Sequence, residues 1–185
     1  MIRSFATARG EIHIREANPA DAIQFRELRL SALQDSPIAF TSDYQKNLNQ
    51  PLKYWEDTLT TQADESTIFL AERENGLIGM TGIARSNSPK TRHGAWIWGV
   101  YVKPEWRGLH IAEEMITCCF AWSRTRKIVL AKLGVVVINR PAIRCYERCG
   151  FKAYGTEPRA VFYEGTYYDE LLMYYSLEEA NANGS

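Results

Sequence analysis

Residues 95–112 read AWIWGVYVKPEWRGLHIA, and the fold turns on how this stretch is read. An apolar run holding Trp96, Trp98, Val100 and Val102 is stopped by Pro104, and Arg107-Gly108 then leads into an amphipathic segment. The pattern is strand, tight loop, helix. The first backbone N–H groups of a helix lack internal partners and carry the positive end of its dipole. A glycine-bearing junction of this kind can therefore hold an anion such as a pyrophosphate. Single junctions of this type are ordinary connections in α/β proteins, so the flanks decide its meaning.

Downstream, Ile111, Met115, Cys119 and Trp122 share one face of a helix expected to run to about Arg126. Residues 130–138 contain Val135-Val136-Val137, a continuous β-branched run suited to a strand covered on both faces. Strand, helix, strand implies a parallel, right-handed crossover. Asn139-Arg140-Pro141 caps a short helix that Gly150 ends. Residues 151–154 and 161–163 read as two strand pieces, Glu164-Gly165 turns, and residues 167–177 return as a last strand. The closing NANGS is expected to be disordered.

Upstream, residues 1–10 show no period and are expected to be a loose leader, with a first strand over 11–15. Asn18-Pro19-Ala20-Asp21 has the chemistry of a helix start, and Ser36-Pro37 that of its stop. Ala22, Phe25, Leu28 and Ala32 form its apolar face, and Ile23 and Leu30 a second apolar flank, all read as core. Pro51 opens a helix carrying Leu52, Trp55 and Leu59. Residues 67–73 and 77–85 form a hairpin around Glu74-Asn75-Gly76, because Asn-Gly supplies the positive-φ positions of a tight turn. Residues 86–92 are a loop.

A chain of 185 residues, 45% of them hydrophobic, can bury one sizeable core and requires no second domain. Lys+Arg and Asp+Glu both number 22, so no global field argues for nucleic acid or an anionic membrane. No apolar stretch approaches the ~20 residues of a membrane span, and the first residues lack a signal-peptide core. A cytoplasmic protein is expected. The cysteines at 118, 119, 145 and 149 and the histidines at 13, 93 and 110 are spaced unlike a metal-ligand set, and the cysteines read as reduced packing thiols.

The element order, strand, two helices, three strands, helix, strand, helix, two strands, resembles the GNAT superfamily of acetyl-CoA-dependent N-acetyltransferases. That family's cofactor loop is Arg or Gln, two residues, Gly, one residue, Gly or Ala; Arg107 and Ala112 match its first and last places. His110 stands where the family carries glycine. The family's next block is present in full as Asn139, Ala142, Tyr146, Gly150 and Phe151. The resemblance covers residues 11–177, taken as one domain with 178–185 as a flexible tail. It implies an α/β fold: a mixed, mostly antiparallel sheet flanked by helices, with a splayed parallel strand pair that binds acyl-CoA.

The resemblance also implies roles. Backbone amides of Gly108, Leu109, His110, Ile111, Ala112 and Glu113, with Arg107, would take the pyrophosphate of acetyl-CoA. The backbone of Val100, Tyr101 and Val102 would pair with the pantetheine arm, an amide at or near Val100 would polarise the thioester carbonyl, and Asn139 would bond the arm. Tyr146 would protonate the departing thiolate. The acceptor is a primary amine, either a small molecule or a protein N-terminus, attacking directly without a covalent enzyme intermediate. No metal is implied, and a homodimer is compatible with the family.

An alkyl amine with a pKa near ~10.4 is almost entirely protonated at neutral pH, so a base or water chain must remove its proton. Glu72, His93, Glu170 and an ordered water are the candidates. Arg140, Arg144 and Arg148 read as a solvated helix face, and Trp96 and Trp98 as core. A different class of function, a non-catalytic acyl-CoA sensor, is the alternative that His110 and the unidentified base leave open.

Overall fold

A computed structural model describes residues 2–60, 64–74 and 76–178. Strands β1 (Ile2–Thr7) and β2 (Gly10–Glu16) form a hairpin, and a 3-10 turn then leads into α1 (Ala22–Asp35). Two further helices, α2 (Tyr44–Leu48) and α3 (Leu52–Leu59), precede β3 (Ser66–Arg73), β4 (Gly76–Arg85) and β5 (Gly94–Val102). Then come α4 (Ile111–Thr125), β6 (Leu130–Val136), α5 (Arg140–Arg148), β7 (Lys152–Tyr163) and β8 (Thr166–Ser176).

The strands make one sheet in the order β1-β2-β3-β4-β5-β6-β8-β7. Every neighbouring pair is antiparallel except β5–β6, which is parallel. A helix joining two parallel neighbours is the expected crossover, and α4 supplies it. One core, between the sheet and α4 with α5, is built on Met115, Ile116, Cys119 and Trp122 against Phe69, Ile83, Ile97 and Leu133. A second core lies on the other face, where Phe25, Leu28, Ala32, Trp55 and Leu59 of α1 and α3 pack on Leu70, Met80 and Tyr101.

The start of α1 follows its sequence closely. Asn18 Oδ1 accepts the Ala20 amide at 3.0 Å and the Asn18 amide donates to Asp21 Oδ2 at 2.9 Å, a reciprocal capping box. Asp21 also takes Arg15 of β2 at 2.7 Å, which ties the helix start to the sheet.

Several expectations are corrected. The leader is not loose from residue 2 onward, since β1 pairs along its whole length with β2. Ile23 is 61% exposed, so the second flank of α1 does not reach the core there. Residues 37–50 hold α2, whose N-cap Asp43 accepts the Lys46 amide at 2.7 Å. The strand pieces after Phe151 are one strand, β7, whose register shifts between Glu157 and Val161, next to Pro158. Proline is tolerated at such a bulge on an edge strand. The β3–β4 hairpin forms with Glu74 at φ 53, while Asn75 lies outside the described residues, as does the NANGS tail. No helix among the described residues is long and apolar enough to cross a membrane.

Candidate functional site: a cleft between splayed strands

The parallel pair β5–β6 is joined only over Gly94–Leu130, Ala95–Ala131 and Trp96–Lys132. Beyond it β5 continues to Val102 and β6 to Val136 without pairing, so the strands diverge and leave a backbone edge open. The divergence coincides with a bulge. Met80 of β4 pairs with Tyr101 and Gly82 with Trp98, which leaves Gly99 and Val100 without partners in the register. Gly99 has φ +66, a conformation that a side chain would strain. The bulge also reverses side-chain alternation: Ile97, Val100 and Val102 pack toward α4, and Tyr101 enters the core under α1.

The loop after β5 is anchored at both ends. The Lys103 amide bonds the Ile78 carbonyl at 2.9 Å, and Arg107 Nε bonds the Val102 carbonyl at 3.0 Å. The Arg107 guanidinium also pairs with Asp35 at the end of α1. Gly108 at φ +79 and His110 at φ 59 bracket Leu109, whose side chain packs on the core. His110 therefore adopts the left-handed backbone that glycine favours, and its 70%-exposed ring turns aside to place Nδ1 3.1 Å from Glu113 Oε1. The first amide of α4 with a backbone acceptor is that of Glu114, to the His110 carbonyl at 3.1 Å. Of the amides before it, that of Glu113 bonds its own carboxylate, and those of Ile111 and Ala112 stay available for an anion.

A cavity of about 460 Å³ runs between this loop and α5. Val100, Tyr101, Val102, Arg107, Gly108, His110, Ile111, Ala112, Glu113, Asn139 and Tyr146 all line it. Of the residues expected to bind acetyl-CoA or protonate its thiolate, only Leu109 lies outside its lining. Asn139 is the N-cap of α5, its Oδ1 accepting the Ala142 amide at 3.3 Å, which leaves Nδ2 as its remaining donor. Tyr146 is buried with its ring edge-on to Phe151, and burial pushes its phenol well above the ordinary range. A phenol so placed stays protonated.

Sequence reasoning missed part of this wall. Arg144 and Arg148 line the cavity, and Arg148 Nη2 reaches Glu113 Oε1 at 2.6 Å. Their four-residue spacing is legible in the sequence, where it fits contacts to the 3′-phosphate of CoA as well as the solvated helix face preferred above. Ser36, Ala39 and Phe40, just beyond α1, close the cavity on its far side, and no motif marks them. Trp96 and Trp98 are a correction: they are 38% and 39% exposed, not core. The helices on their face cover the end of β5 at Tyr101 and leave these rings bare, Trp96 beneath the Lys132 amine and Trp98 across Gly82.

The cavity continues into the splay as a recess of about 70 Å³ lined by Phe40, Trp98, Gly99, Val100 and Gly134 among others. Phe40 also borders a third space of about 570 Å³ between the end of α1, α2 and residues 160–163 of β7. Of the candidate bases, Glu72 is held by Arg15 at 2.9 Å on β3. His93 precedes β5 at the end opposite the splay, where its carbonyl takes the Val129 and Leu130 amides. Glu170 alone is at the splay. It pairs in register with Val136, and a side chain at Gly134 would come within 2.7 Å of its Oε2. Burial, then the Glu157 carboxylate, raises its pKa above the usual carboxylate range.

The cysteines are free, and burial pushes the Cys118 thiol up to about 11, away from the nucleophilic thiolate. No group of three or more His, Cys, Asp or Glu among the described residues could hold a metal ion.

Comparison with known proteins places this geometry. The chain is 31% identical over 125 residues to the L-amino acid N-acetyltransferase AaaT of Escherichia coli, 64% of this chain and 73% of that protein. It is 26% identical over 145 residues to an aminoglycoside N(6')-acetyltransferase of Stenotrophomonas maltophilia, 75% of this chain and 85% of that one. In fold it is similar to yncA of Salmonella typhimurium, solved with its cofactor acetyl-CoA, with a TM-score of 0.73 and 22% identity over 94% of this chain and 98% of that one. Residues 30–151, which contain the bulge, the loop and α5, match the acetyltransferase (GNAT) family, and the chain belongs to it.

Proposed function

We propose that the domain over residues 11–177, extended by β1, transfers the acetyl group of acetyl-CoA to a primary amine by direct attack on the thioester. The observation that carries this is the coincidence of three features at one cleft: an open strand edge at Gly99–Val100, unpaired amides at the start of α4, and Tyr146 beside them. The amides of residues 108–113 would take the pyrophosphate, with Arg144 and Arg148 adding positive charge at the mouth. The backbone of Val100 to Val102 would pair with the pantetheine arm as an added strand, and Asn139 Nδ2 would donate to it.

Proton transfers follow from the two titratable groups at the splay. Glu170 takes a proton from the acceptor ammonium, directly or through one water, and its raised affinity for protons suits that task. The freed amine forms the C–N bond while the bulge amide near Val100 stabilises the carbonyl oxygen. The C–S bond breaks, and Tyr146 gives its proton to the thiolate. The second proton of the attacking nitrogen is lost to solvent, and the phenol is recharged from the same source.

The relatives named above act on an amino acid and on an aminoglycoside, which supports a small amine as acceptor. Turnover of acetyl-CoA with a mixed panel of amino acids, aminoglycosides and peptides tests the reading. Thiol release dependent on an amine is expected. Tight acetyl-CoA binding with no transfer to any amine would favour a sensor instead.

A further inference from the structure

Arg29 of α1 is only 8% exposed, yet among the described residues no carboxylate pairs with it. Its Nη2 donates to Ser42 Oγ at 3.0 Å and its guanidinium lies 4.8 Å from the centre of the Phe40 ring. Its Nη1 is buried and has no hydrogen-bond partner. A guanidinium stays charged even when desolvated, so it cannot relieve this cost by losing its proton. An unpaired buried charge is among the more destabilising features a fold can retain. Arg29 Nη1 stands 3.7 Å from where a side chain at Gly99 would begin, and Gly99 with Phe40 lines the recess in the splay. Gly134 lines the same recess from the other strand, and Glu170 Oε2 lies 2.7 Å from where a side chain there would begin. Two glycines, one on each diverging strand, thus leave room beside a cation on one side and an anion on the other.

We infer that Arg29 binds a carboxylate of the acceptor, so that the amine this enzyme acetylates belongs to a small zwitterion of the α-amino acid type. A carboxylate can accept two parallel N–H bonds from a guanidinium, which supplies the missing partner of Nη1 and fixes the acceptor's orientation. With the carboxylate on Arg29, the ammonium one carbon away is directed toward Glu170 and the thioester carbon near Val100. The recess is small, and it opens past Phe40 into the larger space beside α2 and β7, where the side chain of the acceptor would extend. The inference rests on the transferase reading above and adds the acceptor's charge to it.

The test compares kcat/KM for free α-amino acids, their primary amides and the corresponding amines lacking the carboxyl group. A preference of roughly tenfold to a hundredfold for the free acid over its amide is expected, the range for a charge-assisted bond. In Arg29→Met this ratio should fall toward one, and in Arg29→Lys it should fall only in part. A purely structural role would lower both rates together and leave the ratio unchanged. Equal rates for acid and amide, a ratio indifferent to Arg29, or a preference for aminoglycosides or peptide N-termini would each overturn the inference. Should no amine be acetylated, the transferase reading fails, and calorimetry with CoA-loaded protein decides the rest. Binding of the amino acid over its amide, lost in Arg29→Met, sustains the carboxylate site, and absence of such binding overturns it.

Discussion

The Glu113 oxygen that Arg148 Nη2 reaches at 2.6 Å is the same oxygen that His110 Nδ1 approaches at 3.1 Å, so one carboxylate holds both basic side chains at the mouth of the cleft. Burial works against that carboxylate, but the bonds from Arg148, its own amide and His110 outweigh it and keep its pKa below the usual range. It is an anion at the place where a pyrophosphate is proposed to bind, and it occupies the guanidinium best placed to meet one. Glu113→Gln should therefore tighten acetyl-CoA binding by a few-fold at low salt, with the gain fading as salt screens the released Arg148. Calorimetry at two salt concentrations reads the difference. Weaker binding at both would mean that Glu113 positions Arg148 for the ligand and does not compete with it.

At His110 the backbone explains why glycine is usual in the family loop. A non-glycine residue at φ 59 carries a strain of about 1–2 kcal/mol, which glycine would relieve at an entropic cost of about 0.5–1 kcal/mol. His110→Gly should thus leave stability within about 1 kcal/mol of the parent and retain acetyl-CoA binding, because the ring already points away. His110→Val, β-branched in the same conformation, should destabilise clearly. Thermal unfolding of the two variants makes the comparison. Equal losses in both would show that the imidazole contact, and not the backbone, governs this position.

Much of this site was legible because its chemistry is local. The loop from Arg107 to Ala112 and the α5 block from Asn139 to Phe151 each serve the cleft through backbone or cap geometry, which residue spacing reports directly. What escaped depends on tertiary placement. Arg29 looks like any polar position of an amphipathic helix until the Gly99 bulge is brought beside it. Trp96 and Trp98 alternate like core residues, and only the reach of α1 and α3 decides that their face stays bare. Glu170 was one of three bases that sequence could not separate; pairing β8 with β6 brings it to the splay. The short strand β1 shows weak periodicity and is held by its hairpin with β2.

Tyr146 packs in the core and also lines the cleft, so Tyr146→Phe, which keeps the ring, removes the proposed proton donor and little else. Turnover should fall by roughly a hundredfold or more under conditions where chemistry limits, with acetyl-CoA affinity near that of the parent. Single-turnover kinetics with an independent binding measurement separate the two. An unchanged chemical step would remove the phenol from the role of proton donor.

Glu170 gives a pH signature whose sign is fixed by its environment. Its folded pKa is raised by burial and then by Glu157, so the folded protein disfavours the ionised form. The stability associated with this group is fully present below the unfolded pKa and is lost as pH rises through the raised folded value. A base must be ionised to act, so activity should rise across that same interval in which stability declines. Glu170→Gln should flatten both limbs, lowering kcat by roughly a hundredfold while leaving the protein at least as stable at neutral pH. Gly134→Ala offers an independent check, because its methyl group would meet Glu170 Oε2 at 2.7 Å and push aside the flexible end of that side chain. The variant should fold normally yet show the slow, pH-insensitive turnover of Glu170→Gln. If Gly134→Ala instead retains full turnover and the parental pH profile, the carboxylate is not the group that takes the acceptor's proton.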